Sequence, residues 1–224
     1  MIAKILTYNN IMFMLKGAGM SIAIAIGALL LGTVLGVIGA ACKISSKKPL
    51  RVLAGIYVEL IRGTPMLLQI LFFFLGIPTL YRLITGTGIS PNPYLIGLIA
   101  MSINSGAYST ELIRSSIQSI DKGQWEAGKS LGLNYFQIMK SLILPQAFKR
   151  IIPPLVSEFI VLIKDSSLIS TIGAIELLKT SQILGARYYN YLIPLVSASI
   201  MYLTLTLTIS LFANKLERRL AVSD

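Results

Sequence analysis

Glu158 and Asp165 stand in a stretch otherwise apolar enough to avoid water, and they are the side chains best placed to do chemistry. Seven residues are two helical turns, so the two carboxylates share one face of a helix. Ionisable groups at bilayer depth are costly and tend to line a pathway. Lys164, next in sequence, points to another side. Glu59 and Arg62, three apart, suit an ion pair near the end of a second apolar stretch, as a gate or a structural pair. Directly after them Gly63-Thr64-Pro65 interrupts any helix. Pro65 has no N–H, so the carbonyl of Ile61 loses its partner. Such a break is either a packing kink or the irregular backbone that lines a cavity. In a third stretch Ser102, Ser105, Gly106 and Ser109 recur at i, i+3, i+4 and i+7. Small residues in a stripe let helices approach closely. Their hydroxyls, with Asn104, can also donate to a carboxylate.

Other chemistry is excluded by composition. There is no histidine, the commonest general base and metal ligand. One cysteine, Cys42, leaves no internal disulfide and no cysteine-based metal site. No nucleophile stands beside a base, so no catalytic set emerges. Gly123 to Ser130 fits the phosphate-loop pattern G-x-x-x-x-G-K-[ST] literally. That pattern works only after a buried strand, with backbone amides wrapped around phosphates. Ile117 to Lys122 is not such a strand, and Trp125 and Glu126 would put bulk and negative charge where phosphates belong. The match is a coincidence.

The elements that must carry these residues are membrane helices. The 224 residues are 54% hydrophobic and only 13% charged, with mean hydropathy +0.75, against about a quarter charged in soluble domains. Residues 17–42, 63–81, 83–110 and 188–214 each lack any charge. Each can supply the roughly 20 apolar residues that cross the hydrocarbon as a helix, and none alternates as a barrel strand would. The net charge of +11 is a topology signal, not a nucleic-acid footprint. Thirteen of the 20 basic residues fall in three clusters: Lys43 to Arg51, Arg114 to Arg150, and Lys215 to Arg219. Placing all three in the cytoplasm demands an even number of spans between neighbours. Spans at about 53–77 and 94–113 satisfy the first interval. The second needs one at about 151–175 besides that at about 188–213. The expected fold is all-α and polytopic, a single transmembrane domain over 1–224. It has five spans, an outside N-terminus and a cytoplasmic C-terminus. No signal-peptide pattern precedes the first span, which is expected to insert and stay.

Residues 115–150 form a long cytoplasmic loop. Asp121 to Leu133 reads as a short amphipathic helix, capped by Asp121 and ended or bent at Gly132. Asn134 is placed to cap a second helix that runs to Pro145. Two rigid helices at an angle suit docking onto another protein; a solvated loop is the plainer alternative.

The same loop holds Glu126-Ala127-Gly128, three residues, Gly132, nine residues, then Leu142-Ile143-Leu144-Pro145. This resembles the EAA loop of ABC-importer permeases, with Gly128 for the usual second alanine and Leu142 for the usual isoleucine. Glu59 to Gln69, through Arg62-Gly63-Thr64-Pro65, resembles the signature of the polar amino-acid permeases. Lys164-Asp165-Ser166-Ser167-Leu168 is similar to another segment of that family. The resemblance implies a type I importer fold, with two permease subunits, a homodimer in the simplest case, paired about a two-fold axis. A cytoplasmic ABC ATPase dimer and an extracytoplasmic amino-acid-binding protein would complete it. Glu126, Ala127, Gly128 and Gly132 would then couple to the ATPase. ATP and magnesium would belong to that partner, and no cofactor to this chain.

On this reading the lipid-embedded site is Glu158 for a cationic group, with Asp165 further along the same path. Thr64, Ser102, Asn104 and the broken helix would meet a carboxylate. An ion pair of Glu158 with Arg62 or Lys164 is the structural alternative. Glu59, Glu111, Glu158 and Asp165 against Arg62 and Lys164 leave two excess negatives, which leans towards an arginine-like cargo. The rival reading is a gradient-driven secondary transporter of a small polar solute. It explains the acids but not the EAA spacing.

Overall fold

A computed structural model describes residues 2–221, with the side chains of Ala3 and of 216–221 left undescribed. Arg218 and Arg219 of the third basic cluster therefore lie outside the described side chains. Every regular element among the described residues is helical. In chain order the elements are α1 (Ile2–Ile5), α2 (Tyr8–Ile44), α3 (Lys48–Arg62), α4 (Met66–Leu71), α5 (Ile77–Thr85), α6 (Pro93–Gln118), α7 (Lys122–Ser130), α8 (Tyr135–Ile138), α9 (Leu144–Asp165), α10 (Leu177–Tyr188) and α11 (Leu192–Ala221).

Three stretches are long and apolar enough to cross a membrane by length and composition: Tyr8–Ile44, Met66–Thr85 and Leu192–Lys215. At 1.5 Å per residue α6 and α9 are about 39 and 33 Å long, and they carry the polar groups of the interior. The span expected at 53–77 is displaced. The chain breaks at Gly63-Thr64-Pro65, and the stretch here long and apolar enough to cross is Met66–Thr85. Pro65 cannot donate into the helix before it, while Lys48, Arg51, Glu59 and Arg62 make α3 amphipathic rather than lipid-soluble. Of the stretch expected to span at 151–175, residues 151–165 belong to α9, which starts at Leu144 and ends at Asp165. From there a 3₁₀ segment, Ser166–Ile172, leads to a turn at Gly173, where φ is +93°.

Two proline sites share one device. Pro78 and Pro145 each follow a widened π-helical turn, Phe72–Gly76 and Met139–Ile143. The residue before each proline donates five positions back, Ile77 N to Phe72 O and Leu144 N to Met139 O. The wider turn carries the helix past a residue that has no N–H. For this reason the second loop helix does not stop at Pro145, as the sequence predicts, but runs on into α9.

The most extensive helix contact is α2 against α6. Gly32, Gly36 and Gly39 of α2 lie against Ser105, Ser109 and Thr110 of α6. A Cβ added at Gly36 would stand 2.4 Å from Ser109 Cβ, and one at Gly39 2.2 Å from Thr110 Oγ1. In lipid, where apolar surface gives little reason for helices to associate, such close backbone approach supplies the attraction. Gly36→Leu should therefore force α2 and α6 apart at a cost of about 3 kcal/mol or more. It should be lost from the monodisperse fraction on gel filtration, whereas Gly19→Leu, with nothing within 4 Å of its Cβ, should elute and melt as wild type. Equal behaviour of the two variants would remove the stripe from the folding argument.

Candidate functional site

The break between α3 and α4 opens a cavity of about 500 Å³ lined by Arg62, Gly63, Thr64, Pro65, Met66, Asn104, Tyr108, Glu158, Val161 and Asp165. Three elements build it. From α3, Gly63 N donates to Glu59 O at 2.9 Å; a Cβ at Gly63 would sit 2.7 Å from that same oxygen, so only glycine closes the helix this tightly. From α6 come Asn104 and Tyr108, one turn apart, and from α9 come Glu158 and Asp165.

Four of the five residues expected to hold cargo, Glu158, Asp165, Thr64 and Asn104, meet at this cavity. Ser102 does not. It is buried and donates to Leu98 O at 2.6 Å within its own helix. Ser105 Oγ, one turn further on, faces the Glu158 carboxylate but makes no hydrogen bond of ordinary length. The expected donors also need correcting. The Thr64 hydroxyl donates to Leu60 O at 2.9 Å, because a threonine at a helix end returns its proton to the carbonyl four residues back. Asn104 Nδ2 gives one of its two protons to Gln69 Oε1 at 3.0 Å.

Arg62 takes a different place from the one its spacing suggests. Among the described residues the ion pairs are Lys43–Glu111 and Arg114–Glu111, and Glu59 is exposed without one. Arg62 instead lies over the Tyr108 ring, 5.1 Å from its centroid, a cation–π contact that holds the guanidinium at the cavity. Arg62, the last residue of α3, is engaged by α6, and the i, i+3 pairing with Glu59 is not made.

Glu111 likewise leaves the count of free acids. Lys43 Nζ lies 3.2 Å from its Oε2 and Arg114 Nη2 2.7 Å from its Oε1, which ties the end of α2 to α6. What remains at the cavity is two carboxylates against one guanidinium.

Sequence reasoning overlooked Glu176. Its side chain is fully buried and caps α10, accepting from Leu178 N at 2.8 Å and Lys179 N at 2.7 Å. Tyr202 OH of α11 donates to it at 2.8 Å and Ser21 Oγ of α2 at 3.4 Å. One carboxylate thus joins three helices, and the turn at Gly173 just before an apolar helical run was the available signal.

At the other end of α6, α7 forms as expected, with Asp121 Oδ1 accepting from Gly123 N at 2.6 Å. Gly132 has φ +73°, the left-handed bend that glycine tolerates without cost. Asn134 and Gln137 then make a reciprocal capping box. Trp125 stacks on Tyr135 across the bend, centroids 5.6 Å apart. Buried Gly128 admits Ile138, which would lie 2.8 Å from any Cβ there. Glu126 and Ala127 face solvent. The phosphate-loop look-alike is helix α7 with helix before it, not strand.

Residues 32–222 match the family described as the inner membrane component of binding-protein-dependent transport systems. The chain belongs to that family. The permease is 39% identical over 214 residues to a putative glutamine transport system permease protein of Rickettsia bellii (strain RML369-C), covering 96% of this chain and 95% of that one. It is 37% identical over 218 residues to the arginine transport system permease protein of Bacillus subtilis (strain 168), covering 97% of each. A solved amino acid ABC transporter, crystallised with histidines, superposes with a TM-score of 0.86 at 37% identity, over 92% of this chain and 94% of that one. The permease is thus a multi-pass subunit of an amino-acid ABC importer in the cell membrane, and ATP hydrolysis belongs to a separate subunit.

Proposed function

We propose that the permease imports basic amino acids by alternating access through the cavity between α3, α6 and α9. The charge balance of that cavity carries the reading. Glu158 and Asp165 lie two turns apart, about 10 Å along the axis, comparable to an extended arginine or lysine with a cation at each end. Arg62, steadied by Tyr108, offers a bidentate donor to the one carboxylate such a substrate has. A neutral amino acid would leave one of the two acids without a partner.

The rest of the machine follows from the family resemblance. Five spans, with the N-terminus outside and the basic clusters inside, make up a single domain that pairs with a second copy. A cytoplasmic ABC ATPase dimer docks against Glu126 to Gly132, and an external binding protein delivers cargo. A reporter fused to the C-terminus should be active only in a form that works in the cytoplasm; activity of a periplasm-dependent reporter there would reverse the orientation.

The substrate test uses the complex reconstituted in lipid with its ATPase. Arginine or lysine should half-saturate stimulated hydrolysis at a concentration at least about tenfold below glutamine, since one charge-assisted hydrogen bond is worth about 1.5–3 kcal/mol. Equal half-saturation by glutamine would mean that the second acid does not contact cargo.

A further inference from the structure

We propose that Gln69 is the positioning residue of the cavity: its side-chain amide supplies the donor that Pro65 lacks and so holds the Gly63-Thr64-Pro65 break open as a wall. The inference rests on the reading that this cavity receives the transported amino acid. In an uninterrupted helix the N–H of residue 65 would bond to Ile61 O. Pro65 has no such proton, and a carbonyl left bare inside the protein is strongly unfavourable.

Gln69 answers that need from one turn further along. Its Nε2 stands 2.8 Å from Ile61 O, 3.1 Å from Thr64 O and 2.8 Å from Thr64 Oγ1. Thr64 gives its own proton to Leu60 O, so its oxygen meets Gln69 as an acceptor. Three acceptors around one NH2 group make an arrangement that only a donor on this side satisfies. On the other side Gln69 Oε1 accepts from Asn104 Nδ2 at 3.0 Å. That bond sets the amide the right way round, nitrogen to the break and oxygen to α6.

Gln69 is buried, and its side chain does not line the cavity. It acts through its neighbours. By gathering the backbone on either side of Gly63 it sets the place of Arg62 and Thr64. By engaging the Asn104 nitrogen it leaves the Asn104 oxygen and second proton for the cavity, so this residue can accept from an ammonium group as well as donate. A glutamate of the same shape would put oxygen against three oxygens, and a leucine would remove their shared donor, leaving Ile61 O only the Thr64 hydroxyl at 3.4 Å.

The test uses the permease–ATPase complex in lipid nanodiscs, with arginine as probe. Gln69→Glu and Gln69→Leu should raise the half-saturating arginine for stimulated hydrolysis at least tenfold, with the maximal rate changed less than threefold. A role in packing alone would leave half-saturation where it was. Pro65→Ala restores an N–H aimed at Ile61 O and provides a second arm. In that background Gln69→Leu should lose little thermal stability, although arginine half-saturation stays poor because a continuous helix no longer shapes the wall. The same stability loss in both backgrounds overturns the proposal, as does a Gln69→Glu complex with wild-type half-saturation. Should the wild-type complex ignore arginine, lysine and glutamine alike, the cavity reading fails, and the stability comparison still decides the role of Gln69.

Discussion

Glu158→Gln should raise the arginine concentration that half-saturates the complex by roughly 30- to 700-fold, which corresponds to about 2–4 kcal/mol. The substitution keeps shape and removes charge. Glu158 has no ion-pair partner within 4.0 Å among the described residues. Its half-buried carboxylate lines the cavity, so on the proposed reading its charge partner is the cargo. The same reasoning sets the sign of the stability change. Removing an unpaired acid leaves no cation stranded, so the variant should melt at or above the wild-type temperature. Were Glu158 half of a structural ion pair, stability would fall instead. Wild-type half-saturation in a stable Glu158→Gln complex would take the charge out of the substrate path.

The second large effect lies at the far end of α6. Glu126→Lys should leave the permease folded and as thermally stable as wild type, because the side chain is exposed and bonded to nothing else among the described residues. It should nonetheless lose the ATPase on co-purification, or hold it with transport abolished. Reversing a charge at a protein interface sets like against like and costs several kcal/mol, enough for a loss of about 100-fold or more in association. Pull-down of the ATPase and uptake in vesicles read the two outcomes separately. Wild-type association and uptake would take Glu126 out of the proposed docking surface. Gly128→Leu makes a useful contrast: there the new side chain meets Ile138 and Leu142, so the bend itself should fail and stability should drop.

These two sites differ in how far the sequence alone foretold them. The loop was legible nearly residue by residue, with Asp121, Gly132 and Asn134 each taking the capping or bending role that its type predicts. Its helices are short and local, and capping depends on neighbours within four residues. The cavity was legible only in its acids. Periodicity puts Glu158 and Asp165 on one face, but it does not say what that face meets.

Three outcomes needed the tertiary structure. Arg62 is three residues from Glu59, yet it turns to Tyr108, 46 positions later in the chain, because α6 packs beside the end of α3 and brings that ring within reach. Gln69 stood in the motif without a role, since its four partners come from two sides of a broken helix and from α6. Glu176 has partners on α2 and α11, 155 and 26 positions away.

By itself, then, the sequence determined the class of molecule, the helical loop and the positions where a helix must fail. Each follows from backbone chemistry or from the energy of moving side chains out of water, and both act locally. Which polar groups are bound within the protein and which remain for a ligand was decided by the fold. Hydrogen bonds and ion pairs form between atoms brought close by packing, and in this chain the decisive ones join helices far apart in sequence.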